Sequence, residues 1–257
     1  MPAWRVKRPA NGRRPLAVTL DYWDTLYAGA PFDERAEHHR RVVRALLADV
    51  GRADIDEATV AHARREAREE AARWWREEHR GFSPADILRL TLRHLDVERP
   101  SDCEHVARAI ARGEEALDRY PPALLPGAGQ LVRGLAAAGV RLAIVSDTGF
   151  TSGAAQNRVL AKDGLLDAFA ATIYSDEVGY AKPRPEPFRA ALDALGVQPE
   201  ETVHVGDLEE TDVRGALAVG MRAVRLDLVE RRGRSSAEAV FGDHERLLEY
   251  LTGERLG

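Results

Sequence analysis

The sequence has little cysteine and no long apolar run, and each absence excludes a class of protein. Cys103 is the only cysteine among 257 residues, which excludes an intrachain disulfide and a metal site built from several cysteines. No stretch is apolar for long enough to span a membrane, and no apolar run follows the basic N-terminus as it would in a secretory signal. We therefore expect a cytoplasmic protein with no membrane partner.

Lysine is also scarce, because arginine supplies nearly all of the basic charge. Lys7, Lys162 and Lys182 are the only lysines. The net charge is −5, so the chain lacks the overall basic field of nucleic-acid-binding proteins, and we expect no nucleic-acid partner. A hydrophobic content of 44% and a charged content of 31% are ordinary for a globular protein.

Short apolar runs that alternate with helical patterns predict the fold class. The first run, residues 16–20, ends at Asp21 and has the composition of a strand buried on both faces. Further strands are predicted at 141–145, 171–174, 202–205 and 223–226, and helices near 127–138, 152–162, 185–195, 210–219 and 243–252. This alternation predicts an α/β protein with a Rossmann-like parallel sheet and helices on both faces.

A segment without strand signals interrupts this pattern. Residues 32–120 are rich in Arg, Glu and Ala. We predict four helices there: near 34–50, near 56–79, from Ser83 with Pro84 in its first turn, and from Ser101 with Glu104 completing a capping box. Several prolines after residue 120 make a stiff linker back to the alternating part.

The chain therefore divides into two predicted domains. An α/β core comprises residues 1–28 and 123–257, and an inserted α-helical cap comprises residues 29–122. Residues 1–14, rich in Arg, Pro and Gly, are expected to be a loose arm of the core.

Polar residues follow several of the predicted strands, at the positions where open parallel sheets bind ligands. Asp21 stands at the first such position and is our candidate nucleophile. Ser146 follows the second strand, where a hydroxyl and the next backbone N–H can hold a phosphate oxygen. Lys182, fixed by the proline after it, can neutralise a carboxylate and a phosphate together.

Carboxylates at the end of a later strand complete this set. Asp207 follows Gly206, and Asp212 comes five residues after it. Asp21 and Asp207 together make a hard oxygen site suited to Mg²⁺.

This ordered set of motifs resembles the haloacid dehalogenase-like hydrolase superfamily, over most of the chain outside the arm and the helical insertion. The resemblance implies an aspartyl-phosphate mechanism in which Asp21 attacks a phosphoryl group held by Ser146, Asp147 and Lys182. It also implies a helical cap of the family's first type, which closes over the site and selects the substrate.

The same resemblance implies a cofactor, Mg²⁺. Its ligands would be Asp21, the backbone carbonyl of Trp23 and Asp207. The sequence departs from the family at Trp23, because family phosphatases read D-x-D-x-T and use the second Asp as general acid and base. Family dehalogenases also have an aromatic residue there and use no metal, but they lack the carboxylate pattern of Gly206 and Asp207.

Other polar residues have structural readings that we prefer or keep open. We expect Asp24 to serve a turn rather than to replace the missing acid. Asp212 is expected either to interact with a helix dipole or to orient Lys182. Asp147 and Asp176 are possible turn residues. Trp74 and Trp75 cannot face the same way on a helix, so one is expected in the core of the cap and the other at the site. A solvated helix face is expected for His38, His39, Arg73, Arg76 and His79.

The sequence thus predicts a Mg²⁺-dependent phosphatase that acts on a small phosphorylated metabolite, as a monomer or a homodimer. Two alternatives stay open: a metal-free 2-haloacid dehalogenase-type hydrolase, and a binding or regulatory protein that kept the fold without turnover. The identity of the substrate does not follow from the sequence.

Overall fold

The core of the computed structural model, which describes residues 14–29, 33–97, 103–228 and 233–253, is one parallel sheet. Its strands are β1 (Ala17–Leu20), β2 (Arg141–Ser146), β3 (Ala171–Tyr174), β4 (Thr202–Gly206), β5 (Arg222–Leu226) and β6 (Ala239–Phe241). They lie in the order β3-β2-β1-β4-β5-β6, and every neighbouring pair is parallel.

Strand β1 lies in the interior of this sheet and explains the apolar run at the start of the chain. All four of its residues are buried. Val18 lies opposite Leu142 of β2 and Val203 of β4, so the strand is paired on both edges. A parallel strand that is also covered on both faces needs apolar side chains throughout. The predicted α/β fold with a Rossmann-like parallel sheet is confirmed.

Helices cover both faces of the sheet. They are α5 (Ala128–Ala137), α6 (Gly153–Lys162), α7 (Ser175–Val178), α8 (Pro185–Leu195), α9 (Arg214–Ala218) and α10 (His244–Thr252). Successive residues of a strand point to opposite faces. Accordingly, Val18 packs with Leu131 of α5 and Leu247 of α10, whereas Ala17 packs with Phe188 of α8.

The segment from residue 33 to residue 119 has its own helices and its own apolar core. The helices are α1 (Asp33–Asp49), α2 (Glu57–Arg73), α3 (Pro84–His94) and α4 (Glu104–Arg119). Leu46, Val60, Leu92 and Val106, one from each helix, pack in a single cluster. No described residue of this segment belongs to a strand of the sheet. The boundaries of the core and the cap stay predictions. Of the helices that the structure describes, none is both long and apolar enough to cross a membrane.

Several elements differ from the predictions. β6 was not predicted, because three residues are too few to show an alternating pattern. The second and the 210–219 helices contain π-helical turns, Trp74–Glu78 and Glu209–Val213. Helix α4 begins at Glu104 after Cys103, whose side chain makes no capping hydrogen bond. The predicted capping residue Ser101 and almost all of the arm of residues 1–14 lie outside the described residues.

Candidate active site

The carboxyl ends of β1, β2 and β4 meet at one edge of the sheet, since β1 pairs with both of the others. Asp21 directly follows β1, Ser146 is the last residue of β2, and Asp207 directly follows β4. Asp21, Lys182 and Asp207 line a cavity of about 420 Å³ at this edge. The fold thus gathers predicted site residues that are far apart in the sequence.

Lys182 is held between two carboxylates. Its Nζ donates hydrogen bonds to Oδ1 of Asp21 at 2.7 Å and to Oδ1 of Asp212 at 2.5 Å. Burial of the side chain opposes its charge, but Asp21, Asp212 and Asp147 outweigh that effect and raise the pKa of Lys182. The ammonium is therefore charged, and its position is fixed from two sides.

Asp212 makes contacts that hold Lys182 in place. Besides the bond to Lys182, Oδ1 lies 3.3 Å from Nε2 of His204, and Oδ2 accepts a hydrogen bond from the backbone N–H of Leu208 at 2.9 Å. Burial favours the neutral acid, yet Lys182 and His204 lower the pKa of Asp212 below its ordinary value. Nδ1 of His204 lies 2.8 Å from the hydroxyl of Thr19. Of the two expectations for Asp212, these contacts support orientation of Lys182.

The three buried aspartates of the cavity lie close together. Asp21, Asp207 and Asp212 each offer an oxygen within 4.8 Å of the others. Burial, together with the charges of Asp212 and Asp207, raises the pKa of Asp21 well above its ordinary value, although Lys182 opposes the shift. Close carboxylate oxygens are the ligands that Mg²⁺ takes in proteins, so the donor set fits the implied metal. The predicted ligands Asp21, Trp23 and Asp207 all line this cavity.

Ser146 has a buried hydroxyl that no protein group uses. Its side chain is 2% exposed, and Oγ has no hydrogen-bond partner among the described residues. Leaving a buried hydroxyl unpaired costs free energy, so such groups in native structures usually have a function. A phosphate oxygen would satisfy it.

Asp147, a predicted phosphate ligand, lines the catalytic cavity, and both oxygens of its side chain accept hydrogen bonds from protein groups. Its Oδ1 accepts a hydrogen bond from the backbone N–H of Lys182 at 3.0 Å, and its Oδ2 accepts one from Nε1 of Trp75 at 2.8 Å. Burial raises the pKa of this carboxyl. These two hydrogen bonds link Asp147 to Lys182 and Trp75, and its part in phosphate binding stays a prediction.

Trp23 and Asp24 differ in what they do at the cavity. Trp23 lines the cavity, packs edge-on against Tyr22 with ring centroids 4.8 Å apart, and lies 5.6 Å from the guanidinium carbon of Arg35. Asp24 has a left-handed backbone with φ of 52°, a conformation that Asp tolerates better than most residues. Its Oδ1 accepts a hydrogen bond from the backbone N–H of Gly29 at 2.9 Å. This is the turn role expected for Asp24.

The helical segment also supplies walls of the cavity. Trp75, Arg76 and Phe82 line it, together with Phe150 from the loop after β2. Trp75 is the tryptophan that faces the site. The position of Phe150 just beyond the strand-end residue Ser146 could have identified it from the sequence, although we did not select it.

The expectation of a solvated face was wrong for the two histidines of α1. His38 is 9% exposed, and its Nε2 lies 2.7 Å from the backbone oxygen of Arg112. Burial and the neighbouring Arg64 lower the pKa of His39 to about 3. Arg76 is exposed as expected but also lines the cavity. Charge pattern alone did not reveal which neighbours would cover these residues.

A short pairing of backbones joins the helical segment to the residues just before Lys182. The N–H of Gly81 donates to the oxygen of Gly179 at 3.1 Å, and the N–H of Ala181 donates to the oxygen of His79 at 2.8 Å. We call this pairing of residues 79–81 with 179–181 the backbone ladder. Because Ala181 precedes Lys182, the ladder fixes the lysine relative to the helical segment.

Comparison with known sequences shows the family of this chain. A family model of haloacid dehalogenase-like hydrolases matches residues 16–220. A glyceraldehyde 3-phosphate phosphatase from Methanopyrus kandleri is 32% identical over 223 residues, which are 85% of this chain and 84% of that protein. A phosphoserine phosphatase from Thermus thermophilus is 49% identical over 72 residues, so this chain matches 29% of the length of that protein and 28% of its own.

Solved structures share the fold over nearly the whole chain. A HAD phosphatase from Thermococcus onnurineus has a TM-score of 0.64 and 27% identity, with coverage of 93% of this chain and 99% of that one. A 2-haloacid dehalogenase from Pseudomonas syringae has a TM-score of 0.68 over 92% of this chain and 98% of that one; its identity of 24% shows likeness of fold alone. The family match includes all of the candidate site residues, from Asp21 to Asp212. This chain therefore belongs to the haloacid dehalogenase-like hydrolases.

Proposed function

We propose that this hydrolase is a Mg²⁺-dependent phosphatase that acts on a small phosphorylated metabolite through a phosphoaspartyl intermediate on Asp21. The observation that carries the proposal is the charge of the site. Asp21, Asp207 and Asp212 bring three carboxylates together, and the ammonium of Lys182 leaves an excess of two negative charges when all three are ionised. A divalent cation matches this excess.

The residues of the chain account for binding and for the first bond change. Lys182 and the unpaired hydroxyl of Ser146 bind oxygens of the phosphoryl group. One oxygen of the Asp21 carboxylate attacks phosphorus, and the bond to the leaving oxygen breaks, which gives an acyl phosphate and an alkoxide or phenolate that takes a proton from water. Asp212 keeps Lys182 in position while the charge moves.

The second step regenerates the enzyme. Water attacks the acyl phosphate, and the products are the Asp21 carboxylate and inorganic phosphate. Asp21, Asp207 and the backbone carbonyl of Trp23 are the groups that would hold Mg²⁺. When bound, the ion supplies positive charge to the phosphoryl oxygens and to the carboxylates. The relatives named for phosphoserine and glyceraldehyde 3-phosphate support a small phosphorylated substrate.

The metal-free dehalogenase is the second candidate, and Trp23 is the residue that favours it. An aromatic residue at this position removes the acid of the phosphatase motif. However, Asp207 places a second carboxylate beside the nucleophile, and that charge would hinder attack on carbon in a substrate that is itself a carboxylate. The charge of the site therefore favours the phosphatase.

Replacement of Asp207 by Asn tests the metal. We expect the half-saturating Mg²⁺ concentration to rise by about 10–100-fold, because an amide oxygen is a weaker ligand than a carboxylate oxygen. The measurement is hydrolysis of an aryl phosphate over a Mg²⁺ titration, with thermal unfolding as a check of the fold. Asp193→Asn, on an exposed position of α8, is the matched control and should titrate like the native protein.

The same assay separates the two candidates. Full activity in a chelator, or release of halide from a 2-haloacid without metal, would contradict the proposal and favour the dehalogenase. Tight binding of inorganic phosphate without turnover of any phosphate ester would favour the binding protein.

A further inference from the structure

Helix α2 carries a row of arginines along one face. Arg64 and Arg68 are four residues apart, and Arg76 lies two further turns along, in the π-helical turn that continues α2. Residues spaced in this way are neighbours on a helix surface, and like charges there destabilise the helix. Ala72 occupies the remaining position in the row. The row therefore calls for a negatively charged partner.

These arginines line a cavity of about 470 Å³ that is separate from the catalytic cavity. Its lining residues are Ala36, Arg40, Ala61, Arg64, Arg65, Arg68, Glu69, Ala72, Arg76 and Phe150. Five of the ten are arginines and one is acidic. Arg40 donates a hydrogen bond to Glu37 at 2.8 Å, so part of its charge is already compensated.

Arg64 is the member of the row whose environment is hardest to explain without a ligand. It is 9% exposed, and the acidic group that favours its charge is Glu37, which is already paired with Arg40 and Arg41. Burial, and then the charges of Arg68 and Arg40, lower the pKa of Arg64 to about 10. A buried charge without a partner is costly, and an anion in the cavity would supply the partner.

The arginine cavity lies next to the catalytic cavity, and the two share part of their walls. Ala72, Arg76 and Phe150 line both. The guanidinium of Arg68 stacks on the ring of Phe150 at 4.1 Å, which leaves the N–H groups at its edge free to bind an oxyanion in the plane of the group. A ligand that passes the shared wall at Phe150 would place one end at Asp21 and the other at Arg68.

We propose that the arginine cavity binds a second anionic group of the substrate, a phosphate or a carboxylate, at the far end from the phosphoryl group that reacts at Asp21. The proposal rests on the proposed function, and it specifies the substrate class as extended small metabolites with an anionic group at each end. Ala72 lies in the wall that the two cavities share, which we call the junction. Arg68 is four residues from Ala72 along the helix, and Arg64 is four residues further. The second anionic group therefore lies ~6–12 Å beyond the junction.

Calorimetry with ligands that cannot be hydrolysed tests this proposal in the presence of Mg²⁺. The probes are alkane bisphosphonates of increasing length, each compared with the alkylphosphonate of the same length. We expect each long bisphosphonate to bind about tenfold more tightly than the alkylphosphonate of the same length, because it gains one charge-assisted contact. Short bisphosphonates should bind no more tightly than the matching alkylphosphonates. Equal affinity of the two series at every length would overturn the proposal.

Arg68→Gln identifies the cavity as the source of the effect. We expect this variant to bind the long bisphosphonate about tenfold more weakly than the native protein does, with no change in its affinity for the alkylphosphonate. Arg73→Gln, on an exposed position of the same helix outside both cavities, is the control and should keep the advantage. An equal loss for both ligand series in Arg68→Gln would also overturn the proposal, since it would show a general disturbance of the site.

Turnover of an aryl monophosphate is measured alongside, because it reports the proposed function separately. If the aryl phosphate is hydrolysed and bisphosphonates gain nothing, this inference fails and the phosphatase stands. If bisphosphonates show the advantage and no phosphate ester is hydrolysed, the anion site stands and the phosphatase falls.

Discussion

Replacement of Asp21 by Asn is expected to lower phosphatase turnover by at least ~10³-fold, as loss of a covalent nucleophile does in other hydrolases. An amide oxygen neither attacks phosphorus effectively nor binds a divalent cation as a carboxylate does. The fold should survive, because burial and the neighbouring Asp207 and Asp212 already disfavour the charge on Asp21. Lys182 keeps its bond to Asp212 in the variant.

Two measurements check this expectation. Steady-state hydrolysis of an aryl phosphate gives the loss of turnover, and acid quenching of the native protein with labelled substrate should trap a phosphoenzyme that is missing from Asp21→Asn. Thermal unfolding of both proteins verifies that the loss is chemical. Retention of more than a tenth of the native turnover in a folded Asp21→Asn protein would show that another residue is the nucleophile.

The second large effect concerns the leaving group. In phosphatases that the motif resembles, an acid two residues after the nucleophile protonates the departing alcohol, a step worth ~10²–10⁴-fold in rate. Trp23 occupies this position and its indole cannot act as an acid. We therefore expect slow hydrolysis of alkyl phosphates and comparatively fast hydrolysis of aryl and acyl phosphates, whose leaving groups need no proton.

Substitutions at Trp23 and Asp24 make this expectation specific. Trp23→Asp should raise turnover of alkyl phosphates by ~10²-fold, the lower end of the range for general acids. Asp24→Asn should change little, because the carboxylate of Asp24 is bound to the backbone N–H of Gly29 and serves a turn. The measurement is kcat across a series of leaving groups for the native protein and both variants. Efficient native hydrolysis of alkyl phosphates that disappears in Asp24→Asn would instead identify Asp24 as the acid.

The residues predictable from the sequence are those whose placement follows from local rules. Asp21, Ser146 and Asp207 end buried parallel strands, and such ends meet at one edge of a sheet whatever the rest of the chain does. Lys182 was expected near them from the family motif. Its bonds to Asp21 and Asp212 depend on packing between distant segments, and only the coordinates give them.

The features that could not be predicted from the sequence depend on contacts between segments that are far apart in the chain. Trp75 donates a hydrogen bond to Asp147 across a separation of 72 residues, and no local pattern predicts this contact. His38 and His39 look like members of a polar helix face until other helices cover them. The short strand β6 is recognisable only through its pairing with β5. In each case the deciding partner is remote in the sequence.

The backbone ladder limits how far the helical segment can be treated as an exchangeable part. A Cβ atom on Gly81 would lie 1.9 Å from the carbonyl oxygen of Ser175, so only glycine fits at this crossing without displacement of the core backbone. A chimaera that receives residues 33–119 from a relative would have to bring a glycine to the same place. Without it the grafted helices would sit differently over the sheet and would shift the loop that carries Lys182, so specificity could not be exchanged without disturbing the chemistry.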